Sequence, residues 1–235
     1  MIEIHLRGPG KNAMSSAVMR GLQDQLAAAG GAPVLLTGDG DAFSAGLDLV
    51  EVSRLDAPAM LAFLELLEAT IAALYHYPGP LVGYINGHAI AGGCVVALCC
   101  DLRVVAAAPA IKFGLNEVAL GLQFPRGILG LARRRVAPQF LEEVILAGRL
   151  YAPHDAVRVG LADELGDLAV ARARLAELAA HPAGTYASNK AGLRAGLLDE
   201  APEARRAYLE QALPAWTAPA LHARLQAFLA SRKAK

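Results

Sequence analysis

The sequence predicts an α/β protein with a mainly parallel sheet, followed by a helical C-terminal part. Three observations carry this. The runs PVLLTG (33–38), LVGYIN (81–86) and LRVVAA (102–107) are apolar nearly throughout, as strands covered on both faces are. Segments of helical periodicity separate them, the pattern of parallel pairing with crossover helices. From about residue 137 the chain reads as helix after helix between prolines and glycines, and no strand run is convincing beyond about 165.

In chain order, IEIHL (2–6) alternates like a short strand, and SSAVMRGLQDQLAAAG (15–30) is a helix stopped by glycine. After the strand at 33–38, DGDAFSAG (39–46) reads as a turn-rich connection. PAMLAFLELLEATIAALYHY (58–77) is a helix with proline at its start, ending before PGP. The strand at 81–86 leads to Gly92 and Gly93, which open a buried helix over 92–99, and the strand at 102–107 follows. The expected division is an α/β core over 1–185 and a helical C-terminal part over 186–235, with no repeats and no low-complexity tracts.

Composition removes several function classes. The 235 residues suit one large domain, or a core with a smaller appendage, and 55% hydrophobic with 19% charged residues describes an ordinary packed core. Lys+Arg and Asp+Glu are equal at 22 each, so no net field draws nucleic acid or an anionic membrane. Arg133, Arg134 and Arg135 read as a solvated helix face in preference to a phosphate contact. Cys94, Cys99 and Cys100 share one apolar stretch, which gives no disulfide framework and no metal-ligand spacing; buried free thiols in a reducing compartment are expected. MIEIHLRGPG lacks the basic-then-apolar pattern of a signal peptide, and no uncharged run nears the roughly 20 residues of a membrane span. A cytoplasmic, soluble protein with no membrane partner is the expectation.

Three chemistries compete for the glycine-rich segments. NGHAIAGG (86–93) follows a strand and opens a helix, but one glycine of the dinucleotide fingerprint is missing, as is the acidic residue about 20 positions on. AFSAG (42–46) is one residue short of a nucleophile elbow, yet GDGDA separates Ser44 from the preceding strand. The third chemistry uses backbone. FSAGLDL (43–49) and AIAGGC (89–94) each place glycine after a strand and before a more helical stretch, where N–H groups are left unpaired. One N–H from each could form an oxyanion hole for a carbonyl gaining negative charge. Glu117, among Leu115, Val118, Leu120 and Leu122, reads either as a helix-start residue beside an Asn cap or as a general base whose pKa is raised by apolar surroundings.

KNAMSSAVMRGL (11–22), LTGDGDAFSAGLDL (36–49), NGHAIAGGCVVALCCDLRV (86–104) and FGLNEVALGL (113–122) together resemble, in order and spacing, the crotonase (enoyl-CoA hydratase/isomerase) superfamily. GRLYAPHDAVRVGLADEL (148–165) is similar to its next segment. The resemblance covers roughly 10–165 and implies a stacked β-α spiral core, a helical C-terminal part that mediates trimers or dimers of trimers, and acyl-CoA substrates. No metal and no separate cofactor are implied, since CoA is part of the substrate. The shared step is stabilisation of a thioester enolate by two backbone N–H groups, which fall here on Leu47 and Gly92. The CoA-contacting loop falls on Ala45, Gly46, Asp48 and Leu49, and Asn116 lines the acyl pocket. Hydratases of the family carry one glutamate at the position of Glu117 and another three residues after the hole glycine, where this chain has Val95. One carboxylate suits a proton shuttle, so the motifs point to the Δ3,Δ2-enoyl-CoA isomerase branch, in fatty acid metabolism. A decarboxylase or thioesterase of the same superfamily, and an inactive CoA-binding trimer, are the alternatives.

Overall fold

The computed structural model describes residues 1–198 and 201–233. Residues 199–200 and 234–235 of the helical part expected over 186–235 lie outside the described residues. The chain runs through β1 (Ile2–Leu6), the kinked turn α1 (Pro9–Asn12), α2 (Ser16–Ala29), β2 (Val34–Gly38), β3 (Ala42–Ser44), α3 (Leu49–Val52) and α4 (Ala57–Tyr75). It continues through β4 (Leu81–Ile85), β5 (His88–Ile90), α5 (Gly92–Cys99), β6 (Leu102–Val105), β7 (Phe113–Gly114), α6 (Glu117–Leu120) and α7 (Arg126–Arg135). After a 3₁₀ turn at Pro138–Phe140 come α8 (Leu141–Leu146), α9 (Pro153–Arg158), β8 (Glu164–Leu165), α10 (Leu168–Ala179), α11 (Ala183–Arg194), α12 (Pro202–Trp216) and α13 (Pro219–Lys233).

Two parallel sheets result. The larger has the order β1-β2-β4-β6-β8 and the smaller β3-β5-β7. Three passes of the chain each give a strand to the large sheet and then a strand to the small one: β2 then β3, β4 then β5, β6 then β7. This is the stacked β-α spiral implied by the motifs. Asn86 fastens two neighbouring corners: its Oδ1 accepts from the Gly38 N–H (3.0 Å), and its Nδ2 donates to the carbonyls of Gly38 (3.1 Å) and Gly40 (2.9 Å).

The apolar strands are explained by burial on both faces. Val34 and Leu36 of β2 face the main core with α2, α4 and α5, while Leu35 faces α10. Leu35 joins Val82, Val104, Ala171 and Leu175 in a separate cluster there. Local signals then end the helices: Ser15 Oγ accepts from the Val18 N–H at the start of α2, and Gly30 (φ 56°) stops it. Cys94, Cys99 and Cys100 are free and buried, and burial pushes the last two thiols up to about 12. Helix α4 is long and apolar enough to cross a bilayer by length and composition, but it packs on α2, α5 and α12.

Three sequence readings need correction. Residues 42–44 are strand, not turn, because they pair with β5. His88–Ile90 and Phe113–Gly114 are also strands, too short to show periodicity. The Arg133–Arg135 run is more than a solvated face. Arg134 donates to the carbonyls of Leu193 and Ala195 (both 3.1 Å), and Arg135 to that of Cys100 (2.9 Å). Both guanidiniums tie off carbonyls that a helix end or loop leaves unpaired.

Position 185/186 falls inside α11, which is anchored to the core by a buried polar cluster. Asp101 pairs with Lys190 (2.8 Å) and Arg194 (2.6 Å) and accepts from Tyr186 Oη (2.8 Å) and the Leu81 N–H (2.7 Å). Arg194 also donates to the Tyr75 and Cys99 carbonyls. Helix α12 lies along α4, where Arg205 and Arg206 pair with Glu68 (3.7 Å) and Glu65 (3.4 Å).

Candidate active site

The small sheet assembles the site. Because β3, β5 and β7 are adjacent and parallel, the segments leaving their C-terminal ends emerge side by side, as in other parallel-sheet proteins. Those segments are Ala45–Asp48, Ala91–Gly92 and Leu115–Glu117. They meet around a cavity of about 510 Å³. Of the nine predicted site residues, Ala45, Leu47, Asp48, Leu49, Gly92, Val95, Asn116 and Glu117 line it.

Gly46 stands behind the wall and holds the two glycine loops together. At φ 92° it has a conformation that side chains resist, and a Cβ there would lie 2.7 Å from the Ile90 carbonyl oxygen and 3.2 Å from the Gly92 nitrogen. Gly93 lets α5 close onto β3, since its Cβ would lie 2.8 Å from that of Ser44 and closer still to the Ser44 carbonyl. Gly92 is bare for a different reason. A Cβ there would meet Leu47 Cδ2 at 3.3 Å and the Leu47 nitrogen at 3.5 Å, so it would stand in front of the Leu47 N–H. Neither the Leu47 N–H nor the Gly92 N–H donates to a described residue, whereas their neighbours do: Ala91 to Gly114 and Asp48 to Met14. Ala91 itself is held at φ 51°, ψ −122°, a sparsely populated conformation for a residue with a Cβ, at the turn that presents the Gly92 N–H.

Glu117 is the first residue of α6, 8% exposed, and its Oε2 has no hydrogen-bond partner. Burial pushes its carboxyl up to about 8, and no cation opposes the shift. Asn116 precedes it at the cap position, but its side chain caps nothing; its buried Oδ1 also lacks a partner. Glu117 does start a helix, but the Asn cap of that reading fails on geometry. Val95 is fully buried in α5 and reaches the same cavity from the turn after Gly92. Asp48 Oδ1 accepts from the N–H groups of Val50 (3.0 Å) and Glu51 (3.3 Å), so it shapes the loop by capping α3.

Ser44 is not a nucleophile, for a reason other than the one its sequence suggests. A strand does lead directly into it, but the hydroxyl is fully buried, donates to the Asn12 carbonyl (2.8 Å) and accepts from the Gly46 N–H (3.2 Å). Among the described residues no three His, Cys, Asp or Glu side chains gather as metal ligands. Sequence reasoning reached Leu122 but missed the rest of the apolar part of the cavity: Leu67, Phe124, Ile128, Trp216 and Phe228. Those five come from four helices and a loop segment that carry no motif.

What this geometry can do is hold a carbonyl oxygen between two free N–H groups and move a proton with a single desolvated carboxyl. A sequence model of the family described as enoyl-CoA hydratase/isomerase matches residues 1–234. Among curated proteins, the mitochondrial enoyl-CoA delta isomerase 1 of Mus musculus is 36% identical over 123 residues, 52% of this chain and 43% of that protein. The crotonyl-CoA hydratase of Syntrophomonas wolfei subsp. wolfei is 29% identical over 164 residues, 68% of this chain and 62% of that protein. The chain thus spans less than half the length of the mouse relative and under two thirds of the bacterial one. Among solved structures, human mitochondrial delta3-delta2-enoyl-CoA isomerase superposes with a TM-score of 0.94 at 26% identity, covering 99% of this chain and 94% of that one.

Proposed function

The chain belongs to the enoyl-CoA hydratase/isomerase family, and we propose that within it this protein moves the double bond of 3-enoyl-CoA thioesters to the 2-position. The observation that carries this reading is a single buried carboxyl, Glu117, whose Oε2 has no partner, lining with Val95 the cavity that Leu47 and Gly92 also line with N–H groups that donate to no described residue. The relatives' names include hydratases as well as isomerases, so the choice rests on chemistry. Hydration adds water to C3 and needs a second acceptor to hold and deprotonate that water; valine offers none.

In the proposed reaction the thioester oxygen lies between the Leu47 and Gly92 N–H groups. Ionised Glu117 takes a proton from C2, the C2–H electron pair becomes the C1–C2 double bond of a dienolate that keeps its C3–C4 double bond, and the carbonyl π pair moves to the thioester oxygen as negative charge. The two N–H groups stabilise that charge where it develops, and removing one such donor typically costs ~2.7–4 kcal/mol. Glu117 then returns the proton to C4, where the C3–C4 pair takes it; the C1–C2 pair becomes the new C2–C3 double bond, and the charge leaves the oxygen as the carbonyl re-forms. No group is consumed. A carboxyl with pKa near the working pH is both a competent base and a competent acid.

The test is turnover of 3-enoyl and 2-enoyl thioesters side by side, with product analysis. Rapid conversion of the 3-enoyl compound with little 3-hydroxyacyl product is expected. Hydration of the 2-enoyl compound as fast as isomerisation refutes the reading. Release of free CoA or of carbon dioxide from simple or malonyl-type thioesters instead identifies the thioesterase or decarboxylase alternatives.

A further inference from the structure

The cavity has two unlike ends. One is bordered by Gly10, Lys11, Asp48 and Val50, all partly or well exposed. The other is bordered by Leu67, Phe124, Ile128 and Trp216, exposed by 8% or less. A thioester held at Leu47 and Gly92 therefore has a wet side for its polar carrier and a dry, closed side for its acyl chain. The last two helices of the same chain also line the cavity: Trp216 ends α12, and the half-buried Phe228 and Leu229 come from α13.

We propose that Trp216 is the stop that sets acyl-chain length, and that straight-chain acyl groups extend until they meet its indole. This rests on the acyl-thioester reading of the site. Trp216 is 3% exposed and rigidly placed. Helix α12 is pinned along α4 by Arg205–Glu68 and Arg206–Glu65, and two turns before Trp216 the Tyr208 hydroxyl donates to the Phe124 carbonyl (3.4 Å). That bond couples the helix carrying the stop to the loop that forms the wall beside it. A large, rigid fused ring suits a fixed stop better than the smaller aliphatic side chains of Leu67 or Ile128.

Trp216 is the only tryptophan in the chain, so its emission reports on this position alone. The experiment titrates the full chain with free CoA and with butanoyl-, hexanoyl-, octanoyl-, decanoyl-, dodecanoyl- and hexadecanoyl-CoA, following emission and, independently, heat. These saturated thioesters do not turn over, so the result is independent of whether the reaction is isomerisation. Affinity is expected to rise roughly fourfold per methylene while each new methylene is buried, then to flatten. The emission change is expected to be absent with CoA and butanoyl-CoA and to appear at the length where affinity flattens. In Trp216→Ala the fourfold steps continue past that length, and Trp216→Phe, which disturbs folding less, shifts the break in the same direction.

A break that stays at the same length in both variants overturns the proposal, as does wild-type emission that ignores chain length while affinity depends on it. If neither CoA nor any acyl-CoA binds, the acyl-thioester reading falls, and this proposal with it.

Discussion

Replacing Glu117 by Gln tests the electrostatics of the site through stability as well as rate. In the folded protein burial pushes this carboxyl up to about 8, against 4.5 for the exposed group. The sign is the reverse of a salt-bridged acid. Between pH 4.5 and 8 the unfolded chain has lost this proton and the folded chain keeps it, so stability falls as pH rises, by about 1.4 kcal/mol per unit. At pH 7 the cost is about 3 kcal/mol, and it levels off above pH 8 at about 5 kcal/mol. Gln keeps the shape without titrating. The difference in unfolding free energy between Glu117→Gln and wild type, measured by urea denaturation at successive pH values, should be near zero at pH 4.5. It should grow in favour of the variant up to pH 8. Isomerase activity should move the other way: kcat/KM of wild type rises about tenfold per pH unit toward 8 as the base ionises, and the variant loses roughly 10²–10⁴-fold. A stability difference that does not change with pH would show that the carboxyl is solvated, and the desolvation argument would collapse.

Gly92→Ala places a methyl group 3.5 Å from the Leu47 nitrogen with only the tip of Leu47 to displace, so it should fold normally while kcat/KM falls about 10²–10³-fold. Leu47→Met should stay active, and the reverse pattern in steady-state kinetics would sink the two-loop hole. Val95→Glu should raise 3-hydroxyacyl-CoA formation from 2-enoyl-CoA above background while lowering thermal stability, because an acid replaces a fully buried valine; unchanged hydration in a folded variant would mean that the missing acceptor is not what limits water addition. Asp101→Asn leaves Lys190 and Arg194 buried without their counter-charge and should cost about 3–5 kcal/mol by denaturant titration. A loss below about 1 kcal/mol would mean that α11 is held by its apolar contacts alone.

How much of this was readable depended on where the physics is local. The large-sheet strands announced themselves because both faces are buried, which leaves an apolar run that no solvated strand shows. Glu117 was readable as a lone acid among leucines. The small sheet was not, since AFS, HAI and FG are too short to carry any period and become strands only by pairing with one another. Reading 39–46 as turn therefore hid the element that aligns the three active segments. The basic run failed for a related reason: arginine's charge is visible in sequence, but the acceptors of Arg134 lie about 60 residues away. Trp216 left no signal at all, because its place at the cavity follows from how α12 folds back on α4.

The absence of charge from α5 has a common cause with the single carboxyl opposite. Helix α5 is buried along its whole length, and its N-terminus carries the Gly92 N–H, so the positive end of its dipole acts on the hole with little screening by water. In the proposed reaction the dry part of the cavity holds one negative charge at every stage: on Glu117 before proton transfer, on the thioester oxygen after it, and on Glu117 again at the end. One field of fixed sign can therefore serve the reaction throughout, with the charge moving and never doubling. A carboxylate at position 95 would place a second negative charge in the same dry space, where like charges force one group to keep its proton. Valine there keeps the count at one, and the price is the loss of the acceptor that hydration needs.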